Sequence, residues 1–182
     1  GHRRPKDDGR RPRGLKSHHS RQLRGASCLM ILAKSTPVGG NVPGIAYEII
    51  GPVSEAGIEV DVIVQNAAAD GTNDITFTVK RSEGERAKTI IDAVASKLKA
   101  ASVVLDKKVG KVSLVGVGMR SHAGIAAKVF KALADESINI QLITTSEIKI
   151  SVVIEEKYLE LAVRALHSEF DLGDSNYEKE RS

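Results

Sequence analysis

One feature constrains this chain of 182 residues more than any other: a stretch of sequence that returns 80 residues later. Gly44-Ile45-Ala46, a helical pattern and Ile58-Glu59-Val60-Asp61-Val62-Ile63 come back as Gly124-Ile125-Ala126, a helical pattern and Ile138-Asn139-Ile140-Gln141-Leu142-Ile143. The period is too long for stacked solenoid units and fits a small domain present twice. The chain is long enough to give each copy a core of its own.

The second copy reads clearly. KVSLVGVG, residues 111–118, alternates as a strand does, and Ile125, Ala126, Val129, Phe130, Leu133 and Ala134 form one apolar helical stripe opposite Lys128, Lys131 and Asp135. Strands at 138–144 and 148–154 follow, then a helical stripe of Tyr158, Leu161, Ala162, Ala165 and Leu166. The first copy runs parallel, with a strand near 28–33, a helix over 44–56, strands at 58–65 and 74–80, a helix over 83–100 and a short strand at 102–105. This βαββαβ order predicts an α+β fold of two ferredoxin-like units, each an antiparallel four-stranded sheet with its helices on one face. The expected boundaries are 27–108 and 109–172. Pro52 inside the first helix predicts a kink, since an interior proline costs about 3 kcal/mol.

The net charge of +4 is unevenly spread: residues 1–24 carry nine Lys or Arg against Asp7 and Asp8, so this segment is +7 and the rest is −3. A basic segment with few large apolar residues cannot offset its ordering entropy, so residues 1–26 are expected to be a disordered leader, tag-like, and 173–182 a disordered tail. The alternative is a basic arm gripping phosphates. Base stacking has little material to work with, since aromatics are 3% of the chain, Trp is absent and Phe77 is the one aromatic on an expected strand. No nucleic acid partner is therefore expected. No apolar run reaches the roughly 18 residues that span a bilayer, which argues against a membrane partner. The single Cys28 excludes an internal disulfide framework and a Cys-rich zinc site, and suits a reducing, cytoplasmic compartment.

Catalytic chemistry has no visible carrier. His122 and His167 are the only histidines in the body, and HExxH, CxxC and GxxxxGK[ST] are all absent. Gly116-Val117-Gly118 follows a strand but lacks the third glycine of a dinucleotide loop. No catalytic residue, metal or cofactor is expected, and the chain is read as not an enzyme.

The repeat does carry a binding pattern. Asn41-Val42-Pro43-Gly44-Ile45-Ala46 and Ser121-His122-Ala123-Gly124-Ile125-Ala126 are loops ending in glycine at a helix start. Backbone N–H groups and the helix dipole favour a small carboxylate there. Plain helix capping by Asn41 or Ser121 is the alternative. Polar residues decorate the strands: Asp61, Gln65 and Asn66 in one copy, and Asn139, Gln141, Thr145 and Ser146 in the other. A carboxamide both donates and accepts, which suits an amino acid ligand, although exposed decoration would look the same.

PGIAYEIIGPVSEAGIEVDVIVQN, DGTNDITFTVKR and GKVSLVGVGMRSHAGIAAKVFKALADESINIQLITTSEIKISVVI together resemble the tandem ACT domains of aspartate kinase over residues 42–172. The catalytic kinase domain of that family is absent, so the resemblance implies a regulatory β subunit or a C-terminal regulatory domain. It implies binding of threonine, lysine or both at interfaces between ACT domains, with feedback inhibition of the aspartate-family pathway. It further implies a homodimer and an aspartate kinase catalytic subunit or domain as partner. An ACT module of another amino-acid-metabolism enzyme is the alternative. Carried over by resemblance, Asn41, Gly44, Ile45 and Ala46 meet the effector from the loop and helix start, Gln65 and Asn66 from a strand end, and Asn139 and Ile140 from the second domain. Ser146 resembles a serine tied to lysine response. Asn41 stands where the family often has Asp, which weakens the partner for a ligand ammonium. The family also has a strand upstream that completes the second sheet. Here the basic segment takes its place, so an incomplete second sheet with an exposed edge is expected.

Overall fold

The computed structural model describes residues 22–34, 43–67, 72–98, 102–116 and 124–172. Six strands form one antiparallel sheet in the order β2-β3-β1-β4-β6-β5, from β1 (Gln22–Lys34), β2 (Val60–Ala67), β3 (Asn73–Lys80), β4 (Ser102–Val115), β5 (Ile140–Thr145) and β6 (Lys149–Glu155). The helices are α1 (Ile45–Glu55), α2 (Gly84–Leu98), α3 (Ile125–Asp135) and α4 (Leu159–Glu169).

Two ferredoxin-like units share the long strands β1 and β4. The second half of β1 pairs with β3 and with the start of β4, giving the first unit the order β2-β3-β1-β4. The end of β4 pairs with β6 and with the first half of β1, giving the second unit β5-β6-β4-β1. The expectation of a missing strand is therefore overturned: Gln22 to Ser27 pair with Val115 to Gly110 and close the second sheet. Their placement in a leader ending at 26 is corrected with it. Leu23 is buried in the second core, and that burial outweighs the polar look of the segment. The strands expected at 102–105 and 111–118 are likewise one strand. Between the pairs Cys28 with Val109 and Met30 with Asp106, two residues of β4 oppose one of β1, a bulge that turns the inward face from Val103 and Leu105 to Val112 and Leu114.

Each unit has its own core on the helix side of the sheet. Ile31, Ile75, Phe77 and Val79 meet Ile49 and Val53 of α1 and Ala87 and Ile91 of α2. Val112, Leu114, Ile150, Val152 and Ile154 meet Val129 and Leu133 of α3 and Ala162 and Leu166 of α4. Such side chains contribute about 1.5 to 3 kcal/mol each when fully buried. Helix α1 runs unbroken through Pro52, whose carbonyl still accepts from the Ala56 N–H at 3.2 Å. On the face away from the helices, Cys28, Val109 and Val153 make a small third cluster with Met30 and Leu142.

Candidate functional site

The repeat builds the same turn twice. Gly44 precedes α1 at φ 99° and Gly124 precedes α3 at φ 94°, both left-handed and neither helix capped by a side chain. A Cβ at either glycine would touch nothing within 4 Å, so glycine is required for its backbone angle and not for space. Each carbonyl accepts the first helical bond, from Glu48 N–H at 3.0 Å and Lys128 N–H at 2.9 Å. The N–H groups of the first turn have no partner inside their own helix and face the N-terminal, positive end of the dipole. Such a terminus can receive a carboxylate.

Gly44 is exposed, while Ile45 is buried in the first core and Ala46 packs partly against it. Gln65 and Asn66 are exposed on the edge strand β2, opposite Ile75 and Asp74. Those two pair in turn with Ala33 and Lys34, the last residues of β1, so the amides lie at the end of the unit from which the chain leaves toward Gly44. In the second unit Gly124 shares an end with Ser146, which closes the β5 to β6 turn. The Ser146 N–H donates to the Lys149 carbonyl at 2.7 Å, and its hydroxyl accepts from the Lys149 N–H at 3.1 Å.

Asn139 and Ile140 stand elsewhere. Asn139 is exposed just before β5, and Ile140 is half-buried opposite Ile154, level with Gly110 and Ser27. Along β1 the step from Ser27 to Ala33 spans about 20 Å. Asn139 and Ile140 thus stand level with the middle of β1, well away from the end that carries Gln65 and Asn66. Asn41, Ser121 and His122 lie outside the described residues, as do the segments 1–21 and 173–182.

Asp61 is engaged on the face away from the helices, where it pairs with Lys111 and, at 3.8 Å, with Lys149. The sequence reading passed over both lysines. Lys111 and Lys149 each hold a polar position in an alternating strand, as a solvated residue would, and nothing in the sequence placed them beside Asp61. Among the described residues no group of three or more His, Cys, Asp or Glu could hold a metal ion, and no helix is long and apolar enough to cross a membrane.

Comparison with known proteins agrees with this architecture. Residues 112–170 match the ACT domain family. The aspartate kinase of Pseudomonas putida is 61% identical over 132 residues, which are 72% of this chain and 32% of that protein. The chain thus spans about a third of the length of such relatives. A chain in a crystal structure of aspartokinase alpha and beta subunits superimposes with a TM-score of 0.75 at 47% identity, covering 83% of this chain and 98% of that one. The ligand-free regulatory subunit of aspartate kinase from Thermus thermophilus superimposes with a TM-score of 0.74 at 33% identity, covering 82% and 96%.

Proposed function

The chain belongs to the aspartate kinase family, whose ACT-domain regulatory part it matches, and we propose that it senses a small amino acid on behalf of the kinase. Threonine, lysine or both bind where ACT domains meet, and the bound arrangement lowers the activity of a catalytic subunit or domain in the cytoplasm. The observation that carries this reading is the twice-built glycine turn, uncapped and left-handed, at the same end of the first unit as Gln65 and Asn66. Its N–H groups suit the ligand carboxylate and the amides suit its ammonium or hydroxyl.

Asn139 and Ile140 join such a site from a second copy of the chain, which makes the protein a homodimer in its sensing state. A ligand shared by two chains binds one arrangement more tightly than another, and that difference is the regulatory signal. Isothermal titration with threonine and with lysine tests the reading. Saturable binding of either supports it, and the absence of heat with both at millimolar concentration overturns it. Sedimentation with and without the ligand tests the dimer, which a monomer in both conditions would refute.

A further inference from the structure

The two units keep separate cores and are joined through β1 and β4, whose pairing shifts register at one place, between Cys28 and Met30. There Lys107 and Lys108 of β4 bulge out opposite Leu29. A bulge interrupts the ladder and bends the strand that carries it. Side chains hold the backbone at this point. The Asp106 carboxylate accepts from the Lys108 N–H at 2.8 Å, and the Lys107 carbonyl accepts from Arg81 Nη2 at 3.1 Å.

Arg81 follows the last residue of β3 and opens the turn into α2, and Glu156 stands at the equivalent place after β6, before α4. Since β3 lies beside β1 and β6 beside β4, an ion pair between these residues crosses both shared strands. It forms: the Nη2 that holds the Lys107 carbonyl also lies 2.5 Å from Glu156 Oε1. That nitrogen carries two protons, one for each oxygen. A single guanidinium of the first unit thus grips the bulge and the second unit together. Lys107 itself pairs with Glu85 of α2, which holds the bulge to the first unit as well. Asp61 with Lys111 and Lys149 makes a second ionic link between the units, from β2 to β4 and β6.

We infer that the bulge is a hinge between the two units and that Arg81 is the latch that holds it at one angle. The planar fork of a guanidinium suits this grip on a carbonyl and a carboxylate at once, which the point charge of an ammonium does not reproduce. The pair is partly exposed, so water replaces both partners at small cost and the latch opens without unfolding either core. A ligand that favours one angle between the units biases this hinge. That regulatory use rests on the sensing function proposed above, whereas the hinge itself does not.

Hydrogen–deuterium exchange of the full chain, followed by mass spectrometry of its peptides, reads the latch without any ligand. Arg81→Gln is expected to speed exchange over residues 103–110 by about threefold or more, while residues 75–79 and 150–154, which carry the two cores, keep the parent's rate. Glu156→Gln leaves the bond to the Lys107 carbonyl and gives a smaller rise over the same residues, and it carries the test should Arg81→Gln fold poorly. Lys131→Gln breaks the pair with Asp135 on α3 and leaves residues 103–110 at the parent's rate, which controls for loss of a charge. Unchanged exchange at the bulge in both Arg81→Gln and Glu156→Gln overturns the inference, and so does a rise spread evenly over both cores. Repeating the exchange with threonine and with lysine separates the two claims. Binding that shifts exchange at 103–110 supports the regulatory use, binding without that shift removes the use and leaves the hinge, and no binding refutes the sensing function alone.

Discussion

Leu29 of β1 lies so close against Gly84, the first residue of α2, that a side chain at position 84 has no room, and the second unit repeats the contact with the sizes exchanged. There Gly110 of β4 meets Leu159 of α4, whose Cδ1 would stand 3.0 Å from an added Cβ. In both units one large and one small residue seat the second helix on the first strand.

Gly84→Ala is therefore expected to destabilise the protein by about 1 to 3 kcal/mol through overpacking, despite the better helix propensity of alanine. Adding Leu29→Ala should relieve the clash, so the double variant loses less than the sum of the singles. Urea unfolding of the four proteins measures the coupling. Additive losses would show that the contact does not seat α2.

Ser113 and Ser151 face each other across β4 and β6 with hydroxyl oxygens 2.8 Å apart, both buried. Removing one hydroxyl strands the other, so Ser113→Ala or Ser151→Ala alone should cost about 1 to 3 kcal/mol. The double alanine variant should lie closer to the parent than either single variant. Equal and additive losses in chemical denaturation would contradict this account.

Burial pushes the Cys28 thiol from its ordinary 9.0 to about 11, against the opposing pull of the Lys111 charge. A raised folded-state value means that the unfolded chain loses its thiol proton first. Above about pH 9 the native state holds more protons than the unfolded state, so stability falls as pH rises toward 11, by at most about 3 kcal/mol. Cys28→Ala should lose less stability over that window than the parent. Unfolding curves at pH 8 and at pH 10.5 check the difference, and parallel losses would remove the thiol from the explanation.

The strands that the sequence hid were hidden by packing requirements. Gly25 and Ala26 look like loop residues, yet a Cβ at Gly25 would meet Val163 of α4 at 3.1 Å, so the small residue is what lets the helix approach. Asp106, Lys107 and Lys108 break the apolar pattern of β4 because they flank a bulge. The glycine turns were legible, because a positive φ leaves a glycine in the sequence and the repeat shows it twice. The ion pairs between the units were not, because Asp61, Lys111 and Lys149 are far apart in the chain and meet only after the sheet folds over itself.

Gln65 offers the sharpest test of the sensing site. It is exposed on an edge strand and contributes nothing to either core, so Gln65→Ala should change the unfolding free energy by no more than about 0.5 kcal/mol, the range of surface substitutions, and leave the melting temperature nearly unchanged. If its amide meets a ligand inside a closed interface between two chains, the same substitution leaves a desolvated ligand group unpaired and weakens threonine binding by about 1 to 3 kcal/mol. Asn139→Ala, beside the middle of the shared strands, should weaken it as well, and a mixed dimer carrying one substitution on each chain should keep one intact site of two. Titration and melting together separate a binding role from surface decoration: lost affinity at unchanged stability assigns Gln65 to the site, and unchanged affinity removes it.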